Sequence, residues 1–249
     1  MTNEEILYEN DPIYFIENCC KWEDGSQIKL MGHQKRMIES FESNQKTVIC
    51  NARQVGVTRT TILYLTWYIK YNTNKNIVLL GKSSRLEHTR KCLNKHLRDQ
   101  DVKVHRLING KIDTTSTENS IFYAKSLKDV VFYGTDVRKI DACYYDNFAY
   151  ATRDEQGDFL KQVDLELPYE IDNLIISSTP MSKEEWVEEM KSFEPTHFYT
   201  LCDDAENLRN GCNYIHISWD VIQSRDGGWK EKMIEMMGSE EAFNKEYIQ

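Results

Sequence analysis

Short apolar runs recur along this sequence at helix-length intervals, and that alternation limits the possible folds more than any other feature. KTVICN (46–51), NIVLLG (76–81), DACYYD (141–146), NLIISS (173–178) and THFYTLC (196–202) are rich in β-branched and aromatic residues, which predicts strands. TTILYLTWYIKY lies between the first two, and DFLKQVDLEL and SKEEWVEEMKS lie between the later ones, each with the length and spacing of a helix. A strand that is apolar on both faces has to be covered on both. The expected architecture is therefore α/β, a mostly parallel central sheet covered by helices on both faces, with ligands bound at the carboxyl ends of the strands. Between about 101 and 133 the rhythm breaks. KVHRLING, SIFYAKS and DVVFYG are short, half-alternating and separated by turn residues such as Asn109-Gly110, which predicts an antiparallel insertion or edge ribbon. The stretch from Asp220 onward is predicted helical, with breaks at Gly227-Gly228 and Gly238, and its abrupt helical end predicts a piece of a longer protein.

At 249 residues the chain is read as one domain. Its net charge of −9 disfavours a sequence-independent grip on nucleic acid by the whole surface, because such binding needs many Lys and Arg on phosphates. Any DNA contact is expected to be local. The clearest basic stretch, Lys82 to Arg98, reads as a helix with Leu86, Leu93 and Leu97 inward, whose charges form a solvated face or, alternatively, a nucleic-acid groove. No apolar run reaches the ~20 residues of a membrane span, and the acidic start lacks a secretory signal. Seven cysteines without a CxxC pair fit reduced thiols better than disulfides or a zinc site.

The turn after the first strand, NARQVGVTRTT (51–61), has the outline of a phosphate-binding loop opening a helix. Such a loop works through backbone N–H groups that converge on an anion at a helix N-terminus. Gly56 permits close approach and Thr58 stands where a hydroxyl would ligate Mg²⁺, but the ammonium expected before Thr58 is replaced by Val57. Arg59 leaves the helix about 200° away from Val57 and is a poor substitute. Arg53, on the loop ahead of the glycine, is the better one. Taken alone, the loop fits a plain strand–turn–helix connection at least as well as a nucleotide site. Downstream, IDACYYDNFAY ends a strand in Asp146, where an ATPase places its Mg²⁺-holding carboxylate, and follows it with Asn147 where a Glu would orient and deprotonate water. An amide takes no proton, so hydrolysis is expected to be weakened, though an amide can still orient water. Asp154 and Glu155 could supply a displaced carboxylate or be solvated loop acids.

In this order the motifs resemble the ATPase half of the large terminase subunit of tailed phages, the motor that packages DNA into capsids. DPIYFIENCCKW followed by IKLMGHQKRMIESF is similar to the family's N-terminal segment, VICNARQVGVTRTT to its R-Q-x-G-K-T loop, and IVLLGKSSRLEHTRKCL to the strand and helix that follow. GTDVRKIDACYYDNFAY resembles the segment with an Arg before the Asp-Glu strand, LIISSTPMS the coupling motif, and EAFNKEYIQ the closing helix. The resemblance implies a P-loop NTPase of RecA/terminase-like fold over 1–249, with an adenine-side segment (1–45), a P-loop core (46–205) and a C-terminal helical segment (206–249). It implies ATP and Mg²⁺ as cofactors, with Gln34 at the adenine edge, and Arg53, Gln54, Gly56, Val57, Thr58, Arg59 and Thr179 around the nucleotide. Thr58 and Asp146 would hold the metal, and Arg53, Arg138, Asp146 and Asn147 would act in catalysis, with Ser178 and Thr179 sensing the γ-phosphate. Implied partners are double-stranded DNA, a portal protein, a small terminase subunit and further copies in a ring, in the cytoplasm of an infected host cell and transiently on the procapsid. The family's nuclease half is not found in these residues, so no nuclease chemistry is expected. A degenerate, hydrolysis-impaired relative serving as a nucleotide-binding or assembly module stays open, as does a two-lobed helicase, which would need a second lobe. All of these nucleotide readings require the amides around Gly56 to face Asp146 across adjacent strand ends.

Overall fold

The computed structural model describes residues 2–106, 111–131, 139–164, 170–179 and 197–247. Three helices lead in, α1 (Asn3–Asn10), α2 (Pro12–Cys19) and α3 (Gly32–Ser43). β1 (Lys46–Asn51) feeds α4 (Val57–Tyr71), and β2 (Asn76–Leu80) feeds α5 (Ser83–Asp99). The next elements are β3 (Val104–Arg106), β4 (Lys111–Thr114), β5 (Ser120–Ala124) and α6 (Leu127–Val131). β6 (Lys139–Ile140) and β7 (Ala142–Asp146) precede a 3-10 turn at Phe148–Tyr150 and α7 (Arg153–Asp164). β8 (Glu170–Ile171), β9 (Leu174–Ser178), α8 (His197–Glu206), β10 (Asn213–Ile217), another 3-10 turn at Trp219–Val221, α9 (Gly227–Met237) and α10 (Glu240–Tyr247) complete the order.

Eight strands form one sheet in the order β10-β1-β9-β7-β2-β5-β4-β3, while β6 and β8 pair separately. All pairs from β10 to β5 are parallel, and β4 pairs antiparallel with both β5 and β3. The expected mostly parallel sheet with an antiparallel edge is thus present. Its two faces account for the doubly apolar strands, because successive side chains alternate between them. Ile49, Leu79, Tyr144 and Ile175 pack into one apolar layer with Met37, Leu63, Leu93 and Leu97 of α3, α4 and α5. Val48, Val78, Tyr145 and Ile176 pack into the other with Phe159 of α7 and Phe198 of α8. Each large apolar side chain buried in this way contributes about 1.5–3 kcal/mol of transfer free energy.

Three expectations are corrected. THFYTLC is not a strand but the start of α8, because Phe198, Leu201, Cys202 and Ala205 repeat at helical spacing and all are buried against the sheet. The segment 206–249 is not all helical, since it contributes β10, whose Ile217 pairs with Asn51 at the end of β1. Within the insertion, β5 also runs parallel to β2, and Leu127–Val131 is helical. Asn109-Gly110, Arg138, the helix expected over 182–192 and the end of the coupling motif from Pro180 lie outside the described residues.

Candidate functional site

The carboxyl ends of β1, β9, β7 and β2 converge on a cavity of about 720 Å³, within the range of small-molecule sites. The loop between β1 and α4 forms one wall. Its backbone carbonyls are all engaged: Asn51 Nδ2 donates to Ala52 O at 2.9 Å, Arg225 donates to Arg53 O and Gln54 O at 3.2 Å each, and His33 Nε2 donates to Val55 O at 2.9 Å. The Gly56 carbonyl accepts from the Thr60 amide and hydroxyl. In a trans peptide the following N–H points opposite to the carbonyl. Pinning the carbonyls therefore turns the amides of 54–56 away from Arg225 and His33, neither of which lines the cavity. Burial lowers the pKa of His33, which keeps the ring neutral as a donor to Val55.

The loop needs unusual backbone. Gly56 has φ 89°, and a Cβ there would stand 2.7 Å from Gln34 Nε2. Gln54 also takes positive φ, at 59°, a conformation that costs a non-glycine residue about 1–2 kcal/mol. Gln34 is buried, with Oε1 accepting from the Met31 amide at 2.9 Å and Nε2 beneath Gly56, and it does not line the cavity.

Thr58, in the first turn of α4, donates from Oγ1 to Asp146 Oδ1 at 3.0 Å. The expected facing of loop and carboxylate is present, with one correction: β9 lies between β1 and β7, so the two strand ends are not adjacent. Tyr144, on the same face of β7 as Asp146, donates to the same Oδ1 at 2.9 Å and meets Ser177 Oγ at 2.9 Å. Burial raises the Tyr144 phenol far above its ordinary range, so it remains a donor. Burial also raises Asp146, while the Tyr144 and Thr58 hydroxyls and the charges of Arg85 and His88 pull it back. Ser178 accepts from the Ala149 amide at 3.1 Å and donates to Thr179 O at 2.9 Å, which ties β9 to the turn after Asp146. Thr179 lines the cavity.

Asn147 also lines the cavity, in the left-handed region at φ 57° and ψ 47°. Asn adopts this conformation more readily than longer side chains do. Val57 touches the cavity but is only 5% exposed and belongs to the apolar layer under α4. Arg59 is drawn aside, stacked 4.6 Å over Trp22 and paired with Glu23 at 3.4 Å. Arg53 reaches Tyr150 OH through a long 3.5 Å contact across the mouth. Glu155 closes a capping box with Thr152 at the start of α7, and neither it nor Asp154 lines the cavity. On α5, Leu86, Leu93 and Leu97 are buried as expected, while Arg90 and Lys91 pair with Glu87, and Lys95 with Asp99.

Sequence reasoning missed Tyr144 and Arg225. Tyr144 could have been found, because a residue two before Asp146 in a strand shares its face. Arg225 carries no local signal. Its partners lie more than 170 residues earlier in the chain, and its guanidinium is held 4.7 Å over Trp229.

No protein-family model and no curated protein matches the sequence. Solved structures do match the fold. The large terminase of bacteriophage HK97 aligns at a TM-score of 0.64 and 16% identity over 99% of this chain and 55% of that one. The large terminase of a thermophilic bacteriophage, solved in complex with ADP, gives 0.59 and 12% over 88% of this chain and 53% of that one. The large terminase ATPase domain of Thermus phage P74-26 gives 0.55 and 14%, covering 88% of this chain and 92% of that domain. The chain thus spans about half the length of the first two proteins and nearly all of the third. The mostly parallel sheet and these alignments lead to one conclusion: this chain has the fold of the ATPase domains of phage large terminases.

Proposed function

We propose that this chain is the ATP-binding motor domain of a viral DNA-packaging terminase. The observation that carries the reading is the 3.0 Å hydrogen bond from Thr58 to Asp146 on the cavity floor, beside a loop whose carbonyls are pinned away and whose amides are free to meet an anion. The fold, shared with a protein solved with ADP, supports it.

In this reading the amides of 54–56 receive the polyphosphate, and Arg53 covers it from the mouth. A hydroxyl and a carboxylate are hard oxygen donors that suit Mg²⁺, an ion usually held by one or two carboxylates together with phosphates and water. Thr58 and Asp146 would hold it, and when bound it would neutralise charge developing on the phosphates. Tyr144 and Ser177 fix the Asp146 carboxylate so that little reorganisation is needed. Asn147 orients water without accepting its proton. Gln34 shapes the loop from below through Gly56, and adenine recognition by it would require its amide to leave the Met31 N–H. The further partners of the reading are duplex DNA, a portal protein, a small terminase subunit and neighbouring copies in a ring, met on a procapsid in an infected cell.

A second reading, a hydrolysis-impaired nucleotide-binding module, is favoured by the left-handed backbone at Asn147, which Asn adopts more readily than Glu does. Equilibrium binding of a nonhydrolysable ATP analogue with Mg²⁺, run beside steady-state ATP turnover, decides between them. The motor reading expects binding together with slow turnover that falls on Arg53→Ala. Binding with no turnover supports the second reading, and no binding at all overturns both nucleotide readings and leaves the degenerate assembly module.

A further inference from the structure

Resting on the nucleotide reading of the cavity, we infer that Lys82 and Arg85 supply, from the opposite wall, the positive charge on the terminal phosphates that the loop lacks at Val57. The cations nearest the loop in sequence are committed elsewhere or set apart. Val57 brings only an isopropyl group, and Arg59 is stacked on Trp22 and paired with Glu23. Arg53 stands at the mouth, near Tyr150.

The turn from β2 into α5 answers from across the cleft. β2 pairs directly with β7, and Gly81 at its end comes so close that a Cβ there would stand 3.1 Å from the Asp146 carbonyl. The next residue, Lys82, therefore starts against the strand end that carries Asp146. Lys82 is the N-cap of α5, Arg85 and His88 follow three residues apart on one face of its first turns, and all three line the cavity together with Thr58 and Asp146. Lys82 and Arg85 are exposed, and neither has a side-chain hydrogen bond or ion pair among the described residues. The basic residues in the middle of this helix are paired locally, Arg90 and Lys91 with the one carboxylate of Glu87 and Lys95 with Asp99, and Arg98, near its end, does not line the cavity. The two cations at the head of the helix are thus left to face the phosphate loop. A loop that has given up its own ammonium keeps its electrostatic complement in this way, because attraction between unlike charges depends on distance and dielectric rather than on which element carries the charge.

The test is equilibrium titration of the full chain with a nonhydrolysable ATP analogue, ADP and inorganic tripolyphosphate, each with Mg²⁺, for wild type, Lys82→Ala, Arg85→Ala, Arg85→Lys and the control Arg98→Ala. The expected result is a loss of about tenfold in analogue and tripolyphosphate affinity for each alanine variant, a smaller loss for ADP, and partial rescue in Arg85→Lys. Arg98→Ala, with the same charge change on the same helix, should bind as wild type does. A merely structural role would lower the thermal midpoint of the ligand-free protein and would not separate the analogue from ADP. Wild-type binding that is unchanged in both alanine variants, or weakened equally by Arg98→Ala, overturns the inference and leaves the nucleotide reading standing. Failure of the wild type to bind any of the three probes overturns the nucleotide reading itself.

Discussion

The two places where the chain departs from the motifs it resembles, the head of α4 and the end of β7, differ in physical kind. At Val57 the departure is one of packing. The side chain is 5% exposed and joins the apolar layer beneath α4. At Asn147 it is one of backbone, a left-handed residue at φ 57° directly after the buried carboxylate. A missing charge can be replaced from any wall within reach, and Arg53, Lys82 and Arg85 all line the same cavity. A missing base cannot, because proton transfer requires the accepting atom within hydrogen-bond reach of the water. Among the described residues lining the cavity the carboxylates are Glu23 and Asp146, and Glu23 is paired with Arg59. Binding should therefore be the sturdier property of this site and turnover the fragile one.

The sharpest way to break that contrast is Asn147→Glu. Restoring a carboxylate is expected to raise ATP turnover by about 10²-fold, while a Glu in the left-handed region costs about 1 kcal/mol of stability; steady-state kinetics and urea unfolding read the two effects. A rate that does not rise would mean that the base was not what this site lacks. Val57→Lys probes the other side. It should tighten binding of a nonhydrolysable ATP analogue by about tenfold, with a loss of about 1–3 kcal/mol in unfolding free energy because a packed apolar side chain is removed. A much larger gain would show that the opposite wall compensates poorly. Arg225→Ala asks whether the loop is held by its carbonyls. Removing two hydrogen bonds should destabilise the loop by about 1 kcal/mol each, seen as faster hydrogen exchange of the flanking Ala52 and Thr60 amides, which donate to Ile217 O and Gly56 O, with little change elsewhere in the sheet.

The smallest effect is the pH response of the His33 anchor. Burial depresses its folded-state pKa, so between that value and the ordinary ~6.5 the unfolded chain binds more protons than the folded one. Stability from this ring is fully present above about 6.5 and is lost as pH falls below it. The loss is at most about 0.7 kcal/mol between pH 7 and pH 6. Urea unfolding at the two pH values checks it, and His33→Gln should flatten the difference by that amount. A slope of the opposite sign would mean that the folded protein holds His33 as a cation.

Much of this arrangement was legible before any coordinates. The four strands that frame the cavity appear within one residue of their expected bounds, because each is a short apolar run flanked by polar turns. The loop, Thr58 and Asp146 stand together as their order implied. THFYTLC misled because aromatic and β-branched residues raise strand propensity, while the buried set Phe198, Leu201, Cys202 and Ala205 follows the period of a helix. NYIHI was hidden for the opposite reason. It is an edge strand with mostly half-buried side chains, and its pairing with β1 arises from backbone hydrogen bonds that no side-chain pattern encodes.

By itself, the sequence determined the layered α/β plan, the carboxyl-end location of the site and the two substitutions that distinguish it. These are local properties, since a strand's two apolar faces and a glycine's freedom are written in consecutive residues. Only the tertiary structure decided that β9 lies between the loop strand and the Asp146 strand, that Arg225 and His33 grip the loop carbonyls, and that Lys82 and Arg85 look into the same cavity as Val57. Those relations join residues far apart in the chain. They are fixed by how helices pack across the sheet, and a one-dimensional pattern does not specify which distant side chain fills a given place.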